Sequence, residues 1–136
     1  MYKCGRYGKG DLDGVKRNIK EYGAAQVAGA RRPEDSLQRT CLHYAAKWGR
    51  KNIISLLVVE NGADLEPKTV YGETPLRLAI RWHKYASITT LLKLGADLEK
   101  AKDSNYGQKD FDWSMRYDKK TKAAIAEGQG LAGDWF

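Results

Sequence analysis

The chain has 136 residues, with 24 Lys and Arg against 17 Asp and Glu, a formal net charge of +7. That length makes one ordinary domain with a continuous core, and a hydrophobic share of 42% is too high for a disordered chain. The longest apolar stretch, residues 53–59 interrupted by Ser55, falls short of the roughly 20 residues of a membrane span, and two cysteines make neither a disulfide framework nor, with the histidines, a close zinc-ligand set. Residues 1–30 hold no apolar signal core, and Asp11, Asp13 and Glu21 run against an organelle address, so an intracellular, cytoplasmic location is the default.

In chain order, Tyr2 to Tyr7 reads as a short opening helix. Gly10 to Ile19 reads as a second helix stopped at Tyr22-Gly23-Ala24, and residues 25–37, with Gly29 and Pro33, as a long connector. Thr40 can cap the next helix by accepting a backbone N–H. Leu42, Ala45 and Ala46 form its apolar face. Ile53, Ile54, Leu56 and Leu57 carry the following helix to a stop at Gly62, where Asp64 begins an extended turn. Thr74, with Pro75 at the first helical position, starts the pattern again. Leu76, Ala79 and Ile80 repeat the first face, Ile88, Leu91 and Leu92 the second, and Gly95 and Asp97 the stop and the turn.

The recurrence is periodic. Thr40-Cys41-Leu42-His43-Tyr44-Ala45-Ala46 matches Thr74-Pro75-Leu76-Arg77-Leu78-Ala79-Ile80 at an offset of 34, and Gly62-Ala63-Asp64-Leu65-Glu66 matches Gly95-Ala96-Asp97-Leu98-Glu99 at 33. The first unit therefore holds one extra residue, between Val58 and Gly62. Tyr106-Gly107-Gln108-Lys109 follows Tyr71-Gly72-Glu73-Thr74 at an offset of 35, which puts Phe111 and Trp113 where Leu76 and Leu78 stand. Residues 122–127 then supply a short last helix.

These motifs strongly resemble the ankyrin repeat family. The resemblance implies an all-α solenoid of about four stacked helix pairs with projecting hairpins, the terminal pairs degenerate. It divides a single 1–136 domain into a degenerate opening repeat and connector (1–38), repeats at 39–71 and 72–105, a degenerate closing repeat with a two-residue longer hairpin (106–128) and a tail (129–136). It also implies a non-catalytic protein-interaction module whose contacts come from hairpin tips and from the residues just after the Ala-Ala pair. His43 stands at the family position whose imidazole bridges backbone groups between repeats; Arg77 replaces it in the next repeat, so that bridge is lost or remade.

At the contact positions, Lys47-Trp48, Arg81-Trp82 and Arg116-Tyr117 each place a cation before an aromatic ring, and Arg6-Tyr7 continues the series if Gly8 matches Gly49. Tyr71 and Tyr106 stand at the hairpin tips, with Arg39 and Lys109 nearby. Aromatic rings and Arg dominate binding hot spots, and cations attract carboxylates and phosphates. The expected partner is a protein with an acidic or amphipathic segment, bound along the concave face, with this chain as a scaffold or small subunit of a larger complex. Two other readings of the same side chains are packing over the helix bodies and cover by the chain's own acidic-aromatic tail. A basic-aromatic stripe would also suit a nucleic-acid-contacting accessory protein. Residues 10–16 and the four-repeat layout are similar to the myotrophin-like group of small ankyrin proteins, which implies a regulator of actin capping protein. No cofactor, metal or catalytic set is expected. Cys41 and His43, two apart on a helix, face different sides, and no phosphate-binding Gly loop is present.

Overall fold

The structure, a computed structural model, describes residues 12–31, 35–104 and 106–130. The helix expected at Tyr2–Tyr7, the Arg6-Tyr7 pair, Gly10, Pro33 and the end of the tail lie outside that set.

Helix α1 (Leu12–Tyr22) buries Val15 and ends at Gly23, whose φ of 92° breaks the helix. The residues expected as connector begin with a further helix, α2 (Ala24–Gly29). It is made of good helix formers around Val27, which is fully buried. After it the two complete repeats follow as helix pairs: α3 (Cys41–Lys47) with α4 (Lys51–Ser55), and α5 (Pro75–Arg81) with α6 (Tyr85–Lys93).

Both first helices begin as their sequences require. The Thr40 hydroxyl accepts the His43 backbone N–H at 3.5 Å, and the Thr74 hydroxyl accepts that of Arg77 at 3.3 Å, with Pro75 in the first turn. The extra residue of the first unit is taken up by a π-helical turn, Leu56–Glu60, which continues α4. Twelve positions separate the α4 cap Arg50 from Gly62, against eleven from Lys84 to Gly95. A π turn absorbs one residue without turning the buried Leu56 and Leu57 away from the core. Gly62 (φ 66°) and Gly95 (φ 103°) end the two second helices in the left-handed region.

The elements pack in two rows. First helices α3, α5 and α8 (Gly107–Tyr117) stand side by side, and behind them α4, α6 and α9 (Lys119–Gly128); α1 packs on α4 and α2 on α3. Between the rows lies one apolar core of Leu42, Ala45, Ala46, Ile53, Ile54, Leu57, Leu76, Ala79, Ile80, Ile88, Leu91 and Ile125, all nearly inaccessible. Alanines at the inter-helix positions let neighbouring pairs approach closely.

The closing repeat departs from the expected layout. Asp97 does not open an extended turn: its carboxylate accepts the Glu99 N–H at 2.9 Å and caps a short helix, α7 (Leu98–Lys102). Asp64, at the matching place, accepts from Glu66 in a turn that stays non-helical. Helix α8 then starts at Gly107, before any Thr-type cap, with Tyr106 left-handed at φ 60°. The longer hairpin is thus folded into helix at both ends.

Candidate partner-binding surface

Lys47 and Arg81 are the last residues of α3 and α5, and Trp48 and Trp82 follow as their C-caps. The two caps have nearly the same backbone, φ −97°, ψ 4° at Trp48 and φ −96°, ψ 9° at Trp82. Equivalent caps launch equivalent side chains, so the stacking of repeats sets the indoles in one row. Each indole remains 45% exposed. The Lys47 ammonium lies 5.4 Å from the Trp48 ring centre and 4.9 Å from that of Trp82, joining one repeat to the next. The Arg81 guanidinium lies 5.5 Å from the Trp82 ring and 3.6 Å from the Glu73 carboxylate. Burial, reinforced by the charges of Arg39 and Arg81, lowers the Lys47 pKa from its ordinary value. Of the three cations near this stretch, Arg39 and Arg81 are paired with Asp35 and Glu73, so the local excess of positive charge is about that of Lys47 alone.

The third pair sits differently. Arg116 and Tyr117 end α8, with the guanidinium 6.0 Å from the phenol ring. The second-helix caps Arg50, Lys84 and Asp118 are spaced 34 apart, so Arg116, not Tyr117, is in step with Trp82. The first two repeats pass from one helix to the next through a left-handed residue, Gly49 (φ 73°) or His83 (φ 55°). In the last repeat Asp118 alone joins α8 to α9. Its carboxylate takes the N–H of Lys120 and Thr121, the Thr121 hydroxyl at 2.7 Å and His83 Nδ1 at 2.8 Å. Burial opposes its charge, and these bonds outweigh burial and lower its pKa.

Trp113, aligned by sequence with Leu78, is 52% exposed where Leu78 is buried, and its ring lies tilted 5.6 Å from that of Tyr117 and 5.9 Å from that of His83. Counting from the second-helix cap gives an offset of 34 and sets Trp113 level with Ala79, a fully buried alanine, yet α8 keeps the indole outside the core. Phe111 does pack against the core. At the hairpin tips Tyr71 is exposed beside Gly72, in a turn closed by the Thr69 N–H on the Glu73 carbonyl at 3.0 Å. Tyr106 is exposed with the Lys109 ammonium 5.9 Å from its ring. Arg39 is held inward: it pairs with Asp35 at 3.2 Å and covers the Tyr44 ring at 4.7 Å.

His43 ties the two complete repeats together. It is fully buried; Nδ1 accepts the Thr40 N–H at 3.1 Å, which leaves the proton on Nε2, donated to the Glu73 carbonyl of the next repeat at 2.7 Å. Burial, with help from Arg31 and Arg39, pushes its pKa down to about 4, so the ring is neutral at pH 7. Arg77, at the same place in the next repeat, remakes the bridge by another chemistry: buried to 2% exposure, it pairs with the Asp110 carboxylate of α8. Among the described residues no group of three or more His, Cys, Asp or Glu is placed to hold a metal ion, and no helix is long and apolar enough to cross a membrane.

A family profile described as "Ankyrin repeats (3 copies)" matches residues 2–102. The chain belongs to the ankyrin-repeat family. Ankyrin repeats generally mediate protein–protein interaction and are typically non-catalytic. The closing pair α8–α9 lies beyond the profile, in keeping with its altered hairpin and junction. The ankyrin chain is also similar to a transient receptor potential cation channel subfamily A member 1 homolog of Caenorhabditis elegans, 34% identical over 71 residues. The match takes in 52% of this chain and 6% of the channel homolog.

Proposed function

We propose that this ankyrin domain is a non-catalytic interaction module, or a small scaffold or assembly subunit, that holds an acidic or amphipathic protein segment along its first-helix face. Trp48 and Trp82 anchor the segment and Lys47 and Arg81 steer it. Tyr71, Tyr106, Arg116 and Tyr117 extend the contact at the tips and at the last repeat. The observation that carries this reading is the Lys47 ammonium between two half-exposed indoles of successive repeats. Rings held in place by a cation lose little freedom on binding, and the same cation draws in the carboxylates beside the apolar residues that cover the rings.

The test is a binding titration of the whole chain with a fluorescent peptide of alternating Glu and Leu, against a peptide with Lys for Glu. The expected result is saturable binding of the acidic peptide alone, weakened roughly thirtyfold by Trp82→Ala with helical circular dichroism unchanged. Equal affinity for the two peptides, or for the wild type and Trp82→Ala, overturns the reading. Tighter binding of a single-stranded oligonucleotide, with a steep salt dependence, would replace it with nucleic-acid contact.

A further inference from the structure

A second feature of the same face has a more particular chemistry. Between α5 and α8 lies a cleft of about 330 Å³. Its walls include Arg77 and Arg81 from α5, and Tyr106, Lys109, Asp110 and Trp113 from the start and outer face of α8. Three cations meet one carboxylate there, although Arg81 is shared with Glu73 outside the cleft.

Arg77 is the unusual member. Its guanidinium is 98% buried, given its 2% exposure, and it spends one terminal nitrogen, Nη2, on Asp110. Among the described residues, Nε and Nη1 have no hydrogen-bond acceptor. A guanidinium is always charged and carries five N–H donors. Donors left without acceptors in a buried place are costly, and a charged donor is costlier than a neutral one. The other walls of the cleft are Ile80, Ser114, His83 and the two aromatic side chains, and none of them accepts from Nε or Nη1. An oxyanion entering the cleft supplies what is missing. The aromatic walls then favour an apolar group beside the charge.

We infer that the α5–α8 cleft is a specificity pocket that receives one side-chain carboxylate, Asp or Glu flanked by an apolar residue, from the bound partner segment. Arg77 and Lys109 hold the carboxylate, and Trp113 and Tyr106 take the flanking side chain. The inference rests on the proposed segment-binding role and adds a single-residue requirement to it. A carboxylate fits better than a dianionic phosphoryl group because Asp110 already neutralises one of the three cations and Glu73 partly neutralises another.

The experiment is a nuclear magnetic resonance titration of the whole ¹⁵N-labelled chain, at fixed ionic strength, with the capped tripeptide acetyl-Leu-Glu-Leu-amide. Its isosteric Gln counterpart and inorganic phosphate are run beside it. The expected result is a saturable shift of the Arg77 Nε–H signal with the Glu peptide and at least about tenfold weaker binding of the Gln peptide, the ratio typical of a hydrogen bond to a charged group. Lys109→Ala, an exposed and fold-neutral change, should weaken the Glu peptide several-fold. Arg77→Met should abolish its binding, and the Lys109 variant carries the test if that protein does not fold. Equal binding of Glu and Gln peptides, or an unmoved Arg77 Nε–H at saturation, overturns the pocket. So does phosphate that binds more tightly than the Glu peptide. None of these outcomes bears on the Trp82→Ala titration, so failure of the pocket is distinguishable from failure of the wider binding surface.

Discussion

Acidification should weaken the joint between the two complete repeats, and the size of the effect follows from His43. In the unfolded chain the imidazole titrates near 6.5; in the fold burial holds it at about 4. A proton on Nδ1 would displace the Thr40 N–H it now accepts at 3.1 Å and bury a charge beside Arg31 and Arg39. Because the folded value is the lower one, the stability tied to His43 is fully present above pH 6.5. It is lost as the pH falls from 6.5 to about 4 and changes no further below that. Linkage puts the loss at about 1.5 kcal/mol near pH 5.5 and about 2.5 kcal/mol near pH 4.5, with a full value of about 3 kcal/mol. Urea unfolding followed by circular dichroism at those pH values reads it directly. His43→Gln, which does not titrate, should be less stable at neutral pH and nearly flat across the window. The reasoning is refuted if the variant keeps the wild-type slope, or if the His43 ring signals titrate near 6.5 in the native protein.

Two further changes probe other joints. Asp35 accepts the Tyr44 hydroxyl at 2.7 Å, the N–H of Leu37 and Arg39, and the Arg39 side chain. Burial opposes its charge, yet these bonds hold its pKa at about 2 against 3.8. Its stabilisation, roughly 2 kcal/mol, is therefore present above pH 3.8 and lost between 3.8 and 2. Asp35→Asn should lower stability at pH 7 by about that amount and remove the second, more acidic loss from the pH series. At Gly128, a Cβ would stand 2.6 Å from Leu92 Cβ and 3.2 Å from the Thr89 carbonyl. Gly128→Ala should push α9 off α6 and cost about 1–3 kcal/mol, seen as a lower thermal midpoint, despite alanine's better helix propensity. An unchanged midpoint would show that the α6–α9 contact is looser than its geometry.

The central repeats were legible because their signals are local or strictly periodic. Thr40 and Thr74 mark helix starts by a bond that spans only three residues, and the apolar faces fall at helical spacing. Even the extra residue was visible as a difference between two offsets, although its form, a π turn at Leu56–Glu60, was not. The closing repeat was misjudged where local and tertiary cues compete. Asp97 has the same Gly-Ala-Asp-Leu-Glu setting as Asp64, yet only Asp97 caps a helix. The residues that follow differ: Lys100, Ala101 and Lys102 are good helix formers, whereas Pro67 and Thr69 are not. Once α7 and α8 take up the hairpin, the register moves by one residue, and Trp113 lies exposed although the shifted count sets it level with the buried Ala79. The first two basic-aromatic pairs could be read from position alone. The Lys47 bridge between indoles could not, since it needs two caps of the same geometry in adjacent repeats.

The exchange of His43 for Arg77 explains why the cleft lies where it does. A neutral imidazole bridges two backbone groups at short range, and the repeats it joins close tightly over it. Arginine is longer and charged, so the next repeat must present a carboxylate, and α8 does so because it begins early enough to place Asp110 opposite. One carboxylate satisfies the charge but not the donor count, and the groove beside it stays open. If the cleft is a by-product of this substitution alone, restoring the imidazole should close it without touching the binding of acidic segments. If it is a pocket, Arg77→His should keep a folded solenoid and still lose the preference for Glu over Gln. The variant therefore separates a packing role for Arg77 from a recognition role, with the Glu-to-Gln affinity ratio as the deciding quantity.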